Sequence, residues 1–252
     1  MKRFLLFIWL VVLPLWAAPP QQILLTQKTA AAGGSPTLVN AWKNVGNGGS
    51  SVSVTVSPSA GSCLAVGVAE YDSTTDNTSI SDDIDGTTGW VKVIRIASVS
   101  DSVVLWYKAN IPAGITAITL TRSTGATYYN CHVHEISGAN TTTPFTTGES
   151  ASASGSGTTA NTGTVTTATA NSIMVAITST DGSGNPESFT LNAGSTSGGT
   201  WSHYNTASKE DNGALNLVSS NPTATVSTTG AKIHYWTFSG SRTWVGAMMA
   251  IH

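Results

Sequence analysis

The sequence predicts an all-β protein, an antiparallel β-sandwich of jelly-roll type. Three observations lead there. Short runs rich in Val, Ile, Thr and aromatic residues are broken about every 8–12 residues by Gly, Pro, Asn or Asp clusters, the pattern of a sandwich or barrel. Only 10% of the residues are charged, against roughly 25% in an average soluble protein, so a helix bundle or coiled coil with charged faces is excluded. The vacancy is filled by 25 Gly and roughly 28% Ser plus Thr, without the period of three that marks collagen. Hydrophobic content of 40% still supports a packed core and argues against disorder.

In chain order, strands are expected at Ser51–Ser57, where Val alternates with Ser and Thr, and at Cys63–Tyr71, whose Ala65-Val66-Gly67-Val68-Ala69 is apolar on both faces. Strands of that kind belong in the middle of a sandwich. Trp90–Ala97, Ser102–Lys108, Ala117–Arg122 and Tyr129–Ile136 follow, each β-branched or aromatic and bounded by turn residues. The second half offers Gly163–Thr169, Ser172–Ser179, Ala214–Val218, Thr223–Ser227, Ile233–Phe238 and Trp244–Ile251. Ile173-Met174-Val175-Ala176-Ile177 is again apolar on both faces. No amphipathic helix is expected.

A weak internal repeat relates Val54–Leu64 to Val165–Met174, and a Gly-Thr stretch leads to Trp90 in one copy and Trp201 in the other. Gly148–Asn161, made of Gly, Ser, Ala and Thr, reads as the junction, a flexible linker if the halves are separate domains. Each half is poor in large apolar side chains, so one shared core is more economical. The expected organisation is a leader at 1–17, an N-terminal extension and first strand at 18–37, and a single domain at 38–252. Its halves span about 38–147 and 162–252.

The leader rests on Lys2 and Arg3 followed by an apolar run from Phe4 to Trp16. That run suits a signal peptide and falls short of the roughly 20 residues a spanning helix needs. Cleavage after Ala17 avoids Pro in the first mature position, and it takes the formal charge from −2 to −4. The expected product is exported, periplasmic or at the cell surface, and free of the membrane. With no basic stripe, nucleic acid is not an expected partner.

Cys63 and Cys131 are the two cysteines. In an oxidising compartment they are a candidate disulfide closing a loop of about 70 residues, worth roughly 4 kcal/mol. The alternative is two buried thiols acting as small hydrophobes.

Five stretches carry a resemblance: Ser79–Gly86, Trp106–Gly114, Glu135–Gly138, Gly163–Thr167 and the closing Trp244–Ile251. In that order they resemble an uncharacterised family of exported bacterial β-sandwich domains, jelly-roll and lectin-like. The family pattern has an Asp before a Gly-Asn-Thr turn; this chain has Asp85-Gly86-Thr87-Thr88 there. The resemblance implies fold and location and no activity.

Several constellations could carry chemistry. His132 and His134 alternate on one strand, so their rings project from one face about 7 Å apart, as in a two-His metal site. His203, His234 or His252 would supply a third ligand. The alternative is a pair of ordinary interstrand histidines. Asp82, Asp83 and Asp85, with Asp72 and Asp76 upstream, form an oxygen-rich loop and a candidate Ca²⁺ site, the one cofactor considered. The same loop reads equally as an Asx turn. Glu70 and Asp72 share a strand face, the arrangement a glycosidase needs if the carboxyls lie about 5 Å apart. No Gly-x-Ser-x-Gly elbow accompanies the Ser, His and Asp residues. Trp90, Trp201, Tyr204 and Tyr71 are candidate sugar-stacking platforms, or large aromatics plugging the core.

The reading is an exported non-catalytic binding or adhesion module, for polysaccharide, cell-surface glycan or a matrix partner. The alternative is a carbohydrate-active enzyme, hydrolase or lyase, using Glu70, Asp72 or Glu135. A purely structural surface protein comes third.

Overall fold

The computed structural model describes residues 34–71, 75–76, 78–122, 128–180, 189–194, 196–204, 209–211 and 217–252. The leader at 1–17, the extension up to residue 33 and Asp72 lie outside the described residues. All regular structure among the described residues is strand. The first half contains β1 (Thr37–Asn47), β2 (Ser51–Thr55), β3 (Cys63–Tyr71), β4 (Ser79–Asp82), β5 (Trp90–Ala97), β6 (Asp101–Lys108), β7 (Ala117–Thr121) and β8 (Tyr128–Ser137). The second contains β9 (Ser150–Asn161), β10 (Val165–Thr167), β11 (Ser172–Thr180), β12 (Lys209–Asp211), β13 (Val218–Ser220), β14 (Thr223–Val226), β15 (Gly230–Lys232) and β16 (Tyr235–Ile251).

The expected antiparallel β-sandwich is present, in duplicate. Each half builds one large and one small sheet. The first large sheet runs β1-β8-β3-β6-β5 and the second β12-β13-β11-β16-β9, with β14 also on β11. The small sheets are β2-β7-β4 and β10-β15. Pairing is nested: β1 with β8, β2 with β7 and β3 with β6. The second half repeats it as β9 with β16, β10 with β15, β11 with β14 and β12 with β13. A jelly roll would also pair β4 with β5; here, among the described residues, β4 pairs with β7 alone, and β5 lies on β6 in the large sheet. The weak sequence repeat therefore marks a repeated topology.

The four sheets stack in layers, and strand alternation assigns each side chain to a core. Leu64, Val66 and Val68 of β3 meet Val52, Val54, Ile80, Ile118 and Leu120 of the first small sheet. Cys63, Ala65 and Ala69, on the opposite face of β3, pack with Val103 and Leu105 against Ile173, Val175, Ile177, Val245, Ala247 and Met249. Met174 and Ala176, on the far face of β11, join Val165, Trp201, Val226 and Trp236. The two runs read as apolar on both faces thus lie back to back. Gly67 permits the close approach: a Cβ there would stand 2.9 Å from Asn221 Nδ2 and 3.0 Å from Ile177 Cδ1.

Three expectations need correction. Gly148–Asn161 is no linker, because β9 occupies most of it and pairs along β16. Gly155 within it is dictated by Trp244, which lies so close that a Cβ would come within 2.8 Å of the ring. Ile233–Phe238 and Trp244–Ile251 are not separate strands but lie along β16, whose register with β9 shifts between Thr237 and Arg242. Ser79–Asp82, not expected as a strand, is β4, held to β7 by backbone pairing, and the rest of the acidic loop, Asp83–Asp85, is a turn after it.

Candidate functional site

Several buried polar side chains fasten strands and layers together. Asp82 ends β4, is 6% exposed, and accepts hydrogen bonds on both oxygens. Oδ1 takes the N–H groups of Ile84 (3.1 Å) and Asp85 (2.7 Å), the Asx turn that reverses the chain. Oδ2 takes the Trp90 indole N–H at 2.9 Å and lies 2.6 Å from Lys108 Nζ. Lys108 also pairs with Asp85 at 2.9 Å. Burial acts to raise the Asp82 carboxyl, but the hydrogen bonds from Lys108, the two backbone N–H groups and Trp90 outweigh it and hold the group below the usual carboxylate range. Asp83 accepts from the Thr116 hydroxyl and N–H, and the hydroxyl contact leads the effects that lower its carboxyl.

This geometry corrects the calcium reading of Asp82, Asp83 and Asp85. The ammonium of Lys108 stands where a cation would sit between Asp82 and Asp85, and Asp83 turns away to Thr116. No group of three metal-type ligands occurs among the described residues. Sequence reasoning missed Lys108; a lysine closing the otherwise neutral run Ser102–Tyr107 is the signal that could have found it.

Cys63 and Cys131 are free and buried, which corrects the disulfide. Cys63 belongs to the core between the large sheets, whereas Cys131 belongs to the core under the small sheet. Register pairs Cys63 with Ile136 and Cys131 with Val68, so the two are also separated by about 17 Å along β3 at ~3.3 Å per residue. Burial pushes both thiols up to about 12.

His132 and His134 share a face, as alternation requires, and are fully buried against the second half. The His132 ring Nε2 lies 2.8 Å from Ser219 Oγ, and Asn130 Nδ2 donates to the same hydroxyl at 2.9 Å. His134 Nε2 lies 2.7 Å from Asn221 Oδ1, and Asn221 Nδ2 donates to the Ala176 carbonyl. The pair therefore ties β8 to Ser219 and Asn221 and gathers no third ligand. Burial lowers His134 to about 4, so it sits there as neutral imidazole. Ser219 and Asn221 were also missed, for their role depends on a strand from the other half.

The expected aromatic platforms do not meet. Trp201 is 2% exposed, stacked on His234 with ring centroids 4.6 Å apart in the outermost core, which corrects its reading as a platform. Trp90 is half-buried against the first core and held by Asp82. Tyr71 packs on Tyr128 at 6.1 Å, and Tyr204 is exposed, its hydroxyl donating to the Val39 carbonyl at 2.6 Å. His234 lies between Trp201 and Trp236, and burial, then the charge of His203, lowers it to about 3.

Of the carboxyls proposed for catalysis, Asp72 lies outside the described residues, and Glu70 and Glu135 are apart. Glu70 is buried, accepting from Thr78 and Ser102. Glu135 accepts from the Ser59 N–H at 2.8 Å and the Ser62 hydroxyl at 3.0 Å. Glu70 is opposite Tyr129 and Glu135 opposite Leu64, which places them about 20 Å apart along the ladder. Glycosidase pairs stand roughly 5–9.5 Å apart. A shallow cavity of about 200 Å³ opens between Gly34, Pro36, Asn140, Asn171 and His252, without an aromatic wall. No family model, curated protein or solved structure matches the chain.

Proposed function

We propose that this protein is an exported, non-catalytic binding or adhesion module that works through its surface, with a cell-surface or matrix component as partner. One observation carries the reading: among the described residues, Asp82, Glu135, His132 and His134 are turned inward and committed to the protein's own strands. Asp82 serves Lys108 and Trp90, Glu135 serves Ser59 and Ser62, and His132 and His134 serve Ser219 and Asn221. The chain is sparsely charged and rich in Ser, Thr and Gly, which suits broad contact. Export rests on the basic and apolar residues of the leader, and the resemblance to exported sandwich domains agrees with it.

The test is retention of the leader-free protein on washed cell envelopes, on matrix polymer and on a glycan array. Saturable retention on any of these supports the module; no retention, together with turnover of a polysaccharide, overturns it in favour of an enzyme.

A further inference from the structure

Besides β14, which is only four residues long and bridged to Ser202 at Thr223, the large sheets have four edge strands, and three of these carry devices that discourage pairing with another chain. β1 has Lys43 at mid-strand and a bulge between Leu38 and Asn40. Its backbone is further occupied from its own side chains: Asn40 Oδ1 accepts the Ala41 N–H at 2.9 Å, and Asn44 Oδ1 the Val45 N–H at 2.8 Å. Tyr204 takes the Val39 carbonyl. β5 carries Lys92 and Arg95, a bulge between Lys92 and Ile94, and ion pairs from both to Asp76. β12 is only three residues long.

The fourth edge differs. β9 is a 12-residue strand, Ser-Ala-Ser-Ala-Ser-Gly-Ser-Gly-Thr-Thr-Ala-Asn, with no charge and no proline, and it pairs on one side, with β16. Its start is covered, because Gly163 folds so closely onto Ser152 that a Cβ would lie 2.9 Å from that carbonyl. Ser154, Gly155, Ser156, Thr158 and Thr159 are exposed. On an edge strand, alternate residues direct their N–H and C=O groups away from the sheet, so this stretch offers a row of donors and acceptors to another strand.

We propose that β9 is a pairing edge whose occupant is β9 of a second copy of this chain, joined antiparallel about a two-fold axis into one sheet continuous across both copies. The inference rests on the non-catalytic surface reading above. Self-pairing is favoured by the strand itself. A two-fold antiparallel join sets β9 against an identical strand, which is self-complementary only where no like charges meet. Among the four edges, the neutral β9 satisfies that condition best, and its small side chains put no bulk between the approaching backbones.

The experiment is sedimentation equilibrium of the leader-free chain from low to high micromolar concentration. Wild type, Ser154→Lys/Ser156→Lys and Ser154→Glu/Ser156→Glu proteins would be compared, with melting curves as a folding control. The wild type is expected to dimerise and each charged variant to remain monomeric with an unchanged melt. An equimolar mixture of the Lys and Glu variants should recover the dimer. Amide exchange in residues 153–159 should slow as wild-type concentration rises. A wild type that stays monomeric throughout overturns the proposal and leaves the edge to a strand of another protein. A dimer that survives in both charged variants overturns it as well, because another surface then forms it. Neither result touches retention on cell envelopes, which tests the module reading separately; retention can fail while the dimer stands.

Discussion

Cys63 and Cys131 lie on adjacent strands of one sheet and point into different cores. β3 and β8 are hydrogen-bonded neighbours, yet one thiol faces the second half of the molecule and the other faces the first small sheet. The sheet itself is the barrier between them. Small, apolar and buried, each fills the space a Val or Ala takes elsewhere in these layers.

The expected outcome of thiol titration follows directly. Native protein should react with no thiol reagent at neutral pH, since both groups are buried and pushed up to about 12. Denatured, unreduced protein should yield two thiols, and reductant should leave the melting temperature unchanged. A single disulfide-linked species on mass analysis would refute the layer assignment.

Acid should loosen two buried sites, His134 at the joint between the halves and His234 in the outermost core. His134 is held at about 4 and His234 at about 3, while an unfolded histidine titrates near 6.5. A lowered histidine is neutral in the folded protein, so the unfolded chain binds more protons as pH falls below about 6.5. Stability is therefore full above that pH and declines through the interval down to about 4. At ~1.4 kcal/mol per unit, His134 alone accounts for about 3 kcal/mol. Urea melts between pH 7 and 4 measure this, and His134→Gln should flatten the slope.

The Lys108 clamp should be strongly stabilising as a unit. Lys108→Met leaves Asp82 buried without its cation and should cost about 3–5 kcal/mol. Adding Asp82→Asn to Lys108→Met should recover part of that, because the orphaned charge is gone. Millimolar calcium should leave the wild-type melt unmoved, since Lys108 already bridges Asp82 and Asp85. A calcium-dependent rise would reverse the assignment.

Trp201 and Trp90 should behave differently. Trp201→Ala removes a ring that is 2% exposed and should cost roughly 3–5 kcal/mol. Trp90→Ala removes a half-buried ring and one hydrogen bond to Asp82, so the loss should be smaller. Neither substitution should alter glycan retention beyond its effect on folding.

Gly155 is fixed by Trp244. Gly155→Ala should destabilise by about 1–3 kcal/mol through overpacking, and Trp244→Leu in the same chain should relieve it. Chemical denaturation of the single and double variants reads the coupling.

The sequence alone determined the strands that carry an apolar pattern, because that signal is local, while β1 and β4 were not among the expected spans. Period-two alternation, β-branched runs and turn residues identify Cys63–Tyr71 and Trp90–Ala97 to the residue, and the doubly apolar runs identify the two strands buried on both faces. It also exposed the repeat, though as a weak likeness of one segment. β9 escaped, since a strand of Ser, Ala and Gly has no apolar pattern of its own; the bulk covering it comes from Trp244 on another strand. Only the tertiary structure decided which face meets which layer. That choice separates Cys63 from Cys131, turns His132 and His134 toward Ser219 and Asn221, and places Lys108 among the aspartates. The physical reason is that alternation says a side chain has a side but not what lies there. In a protein of four stacked sheets, pairings between residues 70 to 90 positions apart supply that answer.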